Sequence, residues 1–185
     1  MFLKIKLIYK LLKLIIFLFL LSSSLISHAA PIAKEYQIKA VFLYNFANFI
    51  RWPYSAFTHY QAPFNICILG DDPFQEGIDV MVENEEVKGH IVKVQRLNDI
   101  VNVDNCQILF ISQSEKFYLD QILFSLQQRP ILTVSDINNF VTQGGMIQFF
   151  KQSRRVRFYI AIDTLKEAGL KASVNLLRIA KIVRR

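Results

Sequence analysis

The chain has 185 residues and a formal net charge of +7. Lys4, Lys6, Lys10 and Lys13 open it without a single acid among them, so much of that basicity belongs to a leader and the remainder is mildly basic. Nothing in that balance demands nucleic acid, and the remaining length suits one domain with a full core.

The four lysines are followed by an unbroken apolar run, Leu14–Leu21, then Ser22-Ser23-Ser24 and the small residues Ser27-His28-Ala29. A positive front, a short apolar middle and small residues at −3 and −1 make a signal peptidase substrate. A spanning helix needs roughly 20 apolar residues, and this run reaches that only by taking in Lys10 and Lys13. Residues 1–29 are therefore read as a signal peptide cleaved after Ala29, and 30–185 as a single exported domain that is not embedded in the membrane. No repeat or low-complexity tract follows.

In the exported part, Lys34–Ile50 reads as a helix, with Ile38, Val41, Phe42, Phe46 and Phe49 recurring at threes and fours. Pro53 limits it. Phe64–Leu69 (FNICIL) is nearly all apolar and runs into Gly70-Asp71-Asp72-Pro73, the pattern of a buried parallel strand entering a loop and a helix. Asp72 is placed to cap that helix, with Phe74, Ile78 and Met81 on one face. His90–Leu97 is a second strand and Ile108–Ser112 a third. Ser114–Gln127 follows as a helix whose Phe117, Ile122 and Leu126 face inward. Ile131–Ser135 is a further buried strand, and Ile137–Val141 a short helix.

Gly144-Gly145 leads into Met146–Phe150, a polar turn at Gln152-Ser153, and Val156–Ile162, an antiparallel hairpin. Asp163–Ala168, ended by Gly169, and Ser173–Val183 close the chain as helices. Alternating strands and helices ending in a hairpin predict an α/β fold. Its expected form is a three-layer α/β/α sandwich, with a mostly parallel sheet and the hairpin at the antiparallel edge.

Chemistry is sparse. Asp71 and Asp72 follow the first strand as the metal-holding acids of a phosphoacceptor receiver domain do. The strand that should end on the acceptor aspartate ends on Ser112 and Gln113, so the acids read as a loop and cap. Gly70 stands alone where a dinucleotide fingerprint would need three glycines. His59 and His90 have no partner motif, and no G-x-S-x-G surrounds any serine. No catalytic, cofactor-binding or metal-ligating constellation is assigned.

Arg154, Arg155 and Arg157 lead into a strand whose period of two puts Arg155 and Arg157 on one face. Two planar donors suit an anion or a partner's carboxylates; a solvated edge face is the simpler alternative. Phe42 through Trp52 carries apolar residues on more than one side of its helix, which requires deep burial or a cover. Cys67 and Cys106, in an oxidising compartment, favour one disulfide over two buried thiols. Cys67 lies in the first buried strand and Cys106 just before the third. Neighbouring strands can bring such α-carbons to the roughly 4.4–6.8 Å that bridging requires.

KAVFLYNFANFIRWP (Lys39–Pro53), FNICILGDDPF (Phe64–Phe74), CQILFIS (Cys106–Ser112) and RPILTVSD (Arg129–Asp136) run in order along the chain. GGMIQFF (Gly144–Phe150), RVRFYIAID (Arg155–Asp163) and AGLKASVNLLRIAKIV (Ala168–Val183) continue the series. In these seven segments the chain resembles the YfiR/HmsC family of periplasmic proteins (the DUF4154 domain). The resemblance implies a non-enzymatic repressor without a cofactor. Its partner is the periplasmic sensor domain of an inner-membrane diguanylate cyclase, which it holds inactive, keeping cyclic di-GMP and biofilm formation low. It also matches Cys67 and Cys106 to the family's cysteine pair. A second pair that some members carry near GGMIQFFKQSRR is absent here. A homodimer stays open, and a periplasmic small-ligand module built on Arg155 and Arg157 is the alternative.

Overall fold

The computed structural model describes Lys10, Lys13 and residues 29–184. The proposed signal peptide lies outside them apart from Lys10, Lys13 and Ala29. Among the described residues no helix is long and apolar enough to cross a membrane.

Glu35–Arg185 forms one compact unit that holds every described strand. Helix α1 (Ala29–Phe49) runs into β1 (Ile50–Arg51), and after a loop come β2 (Phe64–Leu69) and α2 (Glu76–Val82). Then follow β3 (Glu86–Val87), β4 (His90–Leu97), β5 (Ile108–Ile111), α3 (Leu119–Ser125) and β6 (Leu132–Ser135). The chain ends with β7 (Ile147–Gln152), β8 (Arg155–Ala161), α4 (Ile162–Glu167), β9 (Lys171–Ala172), α5 (Val174–Ile179) and β10 (Lys181–Val183). Eight strands make one sheet in the order β10-β8-β7-β6-β5-β2-β4-β3, and β1 pairs with β9 apart from it.

The sheet is mostly parallel. β2 lies parallel between β4 and β5, and β6 and β7 continue that direction. The β7–β8 and β3–β4 pairs are antiparallel. Both edges end in strands of two or three residues, which limits pairing with other chains.

β2, β5 and β6 are buried along their whole length, as strands covered on both faces are, with Asn65, Thr133 and Ser135 the buried polar residues among them. Alternate residues feed two cores. Phe64, Ile66 and Ile68 join Leu43, Phe46 and Ala47 of α1 on one side. Cys67, Leu69, Leu109 and Ile111 join Leu119, Ile122 and Leu123 of α3 in the other.

The buried stripe of α1 follows its apolar pattern only in part, with Phe46 buried and Phe42 packed on the core. Ala40, Leu43, Phe46 and Ala47 are buried, whereas Ile38, Val41 and Phe49 are 41%, 49% and 37% exposed. A charge sets this rotation. Lys39, only 3% exposed, reaches Glu35 at 2.7 Å and Asp136, just beyond β6, at 2.5 Å. Asp136 also accepts from the Tyr36 hydroxyl at 2.8 Å and from Gln113 Nε2 at 2.9 Å, and Lys151 pairs with Glu35. Burying a cation is tolerable only with such partners, so the helix turns Lys39 inward and leaves Ile38 and Val41 outside.

Other departures have local causes. Asp72 Oδ1 accepts from Phe74 N (2.7 Å) and Gln75 N (3.2 Å), capping a turn rather than the helix. Gln75 takes φ 52° and α2 starts only at Glu76. Gln113–Tyr118 is a 3-10 turn rather than part of a long helix, and it throws Phe117 outward, 91% exposed. Residues 137–144 form hydrogen-bonded turns in place of the expected short helix.

The C-terminal helix is also shorter than its pattern. Ser173 caps α5 by accepting from Leu176 N, but Ala180 is extended (φ −84°, ψ 153°) and the chain continues as β10. Ile182 and Val183, β-branched, pair in parallel with Ile160 and Ala161. β7 and β8 pair as the expected antiparallel hairpin, but β10 lies outside part of β8, so the hairpin is not the edge of the sheet.

Candidate functional site

The cysteines stand where neighbouring strands meet. β2 pairs with β5 in the register Cys67↔Leu109, which places Cys106, just before β5, beside Cys67. The two form a disulfide with a Cα–Cα distance of 5.8 Å, within the range such bridges adopt. Both are buried in the α3-side core.

The next residue, Gln107, ties the bridge to the surface. It is buried, its Nε2 donates to Ala56 O (2.5 Å), and its Oε1 accepts from Asn65 N (2.7 Å). Its carbonyl accepts from Trp52 Nε1 at 3.1 Å. The loop between β1 and β2 therefore hangs on the residue that follows the disulfide.

That loop walls a cavity of about 620 Å³ lined by Arg51, Trp52, Tyr54, His59, Tyr60 and Lys88 among others. Its aromatic wall is fixed. Trp52 meets Phe64 edge-on at 5.0 Å, and Phe57 stacks on His90 at 4.1 Å. His90 Nδ1 lies 2.6 Å from Ala62 O and so donates to it. Tyr54 and Tyr60 stand almost wholly in solvent, at 96% and 90% exposure.

Lys88 comes from the two-residue turn between β3 and β4, where Lys88 (φ 53°) and Gly89 (φ 85°) both adopt left-handed backbone. Its Nζ donates to Ile50 O at 3.0 Å. Burial, and then the charge of Arg51, hold the Lys88 amine below its ordinary pKa. Among the described residues no carboxylate lines the cavity.

Arg155 and Arg157 lie elsewhere. Ser153 and Arg154, both with positive φ, make the tight turn of the β7–β8 hairpin. Period two then puts Arg155, Arg157 and Tyr159 on one face of β8, with Phe158 and Ile160 buried on the other. Both arginines are exposed, and among the described residues neither has an ion-pair partner. Phe150, across from Arg157, stacks on Tyr159 at 4.3 Å, and Lys181 of β10 lies 4.7 Å over the Phe150 ring. The face is cationic and aromatic together. β7, β6 and β5 separate its strand from β2 and the disulfide.

Of the acids after β2, Asp72 binds Arg96, with its Oδ2 2.9 Å from Nε, and Arg96 also pairs with Asp79 of α2. Among the described residues no group of His, Cys, Asp and Glu is arranged to hold a metal.

The sequence profile of the YfiR/HmsC-like family (DUF4154) matches residues 36–181. The chain belongs to the YfiR/HmsC-like family. No curated protein matches it. The family span includes both cysteines, the arginine hairpin and the whole wall of the 620 Å³ cavity. That cavity was missed from sequence, although residues 51–61 hold two cationic or imidazole groups and four aromatics with no acid.

Proposed function

We propose that this YfiR/HmsC-like protein is a periplasmic repressor, exported with loss of residues 1–29. In this reading it binds the periplasmic domain of an inner-membrane diguanylate cyclase and holds the enzyme inactive, which lowers cyclic di-GMP and biofilm formation. The family match over nearly all of the folded unit carries the reading. The hairpin face of Arg155, Arg157, Phe150 and Tyr159 supports a place for the partner, because arginine and aromatic side chains contribute most of the energy in protein interfaces. Unpaired guanidinium groups select a surface bearing carboxylates.

The protein purified from the periplasm, beginning at Ala30, should bind the periplasmic domain of a cyclase from the same cell in a calorimetric titration. Arg155→Glu with Arg157→Glu should weaken that binding at least tenfold, about 1.4 kcal/mol, and leave the melting temperature unchanged. Absence of binding by the unaltered protein would overturn the reading. Binding that ignores the double substitution would return the arginines to a solvated strand face.

A further inference from the structure

The cavity beneath Trp52 lies outside the repressor reading and carries chemistry of its own. Arg51 and Lys88 converge on it from β1 and from the β3–β4 turn, and neither has an ion-pair partner among the described residues. Two neighbouring cations without a counter-charge repel each other, and a bound anion removes that repulsion.

The position of Lys88 sharpens the point. A two-residue hairpin turn with positive φ at both positions favours Asn-Gly or Asp-Gly. Here the first position, at φ 53°, is a lysine, which lines the cavity and whose ammonium group keeps donors beyond the one given to Ile50 O. The aromatic wall is equally committed. Trp52 Nε1 is already used by Gln107 O, and His90 is fixed between Phe57 and Ala62 O. What the wall leaves for a ligand is aromatic surface and, at the exposed side, Tyr54, His59 and Tyr60, and the volume of about 620 Å³ suits a small molecule.

We propose that this cavity binds a small ring-bearing carboxylate, its ring against Trp52 and Tyr60 and its carboxylate between Arg51 and Lys88. The shared chemistry is an anionic group on a ring with an apolar face. It occurs both in aromatic acids, which stack on aromatic side chains, and in acidic sugars, whose C–H faces pack on the same rings.

The test is calorimetric titration of the processed protein with 4-hydroxybenzoate, with D-glucuronate, and with the uncharged 4-hydroxybenzamide. At least one carboxylate should bind with one-to-one stoichiometry, and which of them does so identifies the source. The benzamide should bind at least tenfold more weakly than the benzoate if the aromatic acid is the ligand. Arg51→Gln and Lys88→Asn should each weaken carboxylate binding at least tenfold. Lys88→Asn restores the favoured Asn-Gly turn, so its melting temperature should not fall, which separates loss of the site from loss of the fold. Failure of both carboxylates to bind would overturn the proposal. So would binding that both substitutions leave unchanged.

Discussion

Replacing Cys67 and Cys106 together with alanine should lower the stability of the domain by up to about 4 kcal/mol. The bridge joins positions 39 residues apart, and closing a loop of that length removes about that much chain entropy from the unfolded state. For a domain of this size the loss corresponds to a fall of roughly 8–16 °C in melting temperature. Cys67→Ser should be worse than Cys67→Ala, because its hydroxyl would sit in a core of Leu69, Leu109 and Ile111 without a partner. The damage should also spread in a defined direction. Gln107 follows Cys106 and holds Ala56 O and Trp52 Nε1, so amide exchange should accelerate first in the loop between β1 and β2. A double-alanine variant as stable as the parent in thermal melts would make the bridge incidental.

Lys39→Met should rank beside it. Lys39 is nearly inaccessible, as are the side chains of Asp136 and Glu35, at 10% and 15% exposure. Removing one member of a buried ion pair leaves the other charge uncompensated, at a cost of about 3–5 kcal/mol. Adding Asp136→Asn should recover part of the loss, since the stranded charge disappears with it.

The same cluster gives the fold an acid-sensitive component. Burial opposes the charged form of Glu35, but Lys151 and Lys39 outweigh it and hold the carboxyl below its ordinary value of 4.5. A depressed carboxyl contributes stability that is complete above the ordinary carboxylate range and is lost as pH falls through its folded value. Denaturant melts between neutral and acid pH should show this slope in the parent and less of it in Lys39→Met. A Lys39→Met variant of undiminished stability would contradict the account of how α1 is held.

These two positions mark how far the sequence could be read. FNICIL, ILFI and LTVS announced themselves because a strand covered on both faces needs little but apolar side chains. The cysteine pair was legible for the same reason, since two such strands in a parallel sheet are natural neighbours. Lys39 was not. Periodicity counts apolar residues, and it assigned the inner face of α1 to Ile38 and Val41 because Asp136, which draws the lysine inward, lies 97 residues away in the chain.

Phe117 was misplaced because the 3-10 turn that carries it changes the residue-to-face relation of an α-helix. The C-terminal Ile182 and Val183 fit a helix by spacing and a strand by β-branching, and the open flank of β8 decided for the strand. The arginine hairpin was visible as a period-two pattern, but its Phe150–Tyr159 stack and Lys181 came only with the pairing of three strands. The cavity needed a loop and a distant turn to be brought together by the β2–β4 pairing, so no single stretch of sequence contained it.

The central claim is repression, and the most direct measurement is cellular cyclic di-GMP in a strain with an intact partner cyclase, with and without the gene for this protein. The account predicts a rise when the gene is deleted, with more surface attachment, and no rise when the cyclase is deleted as well. An unchanged level in the strain that keeps its cyclase would contradict it.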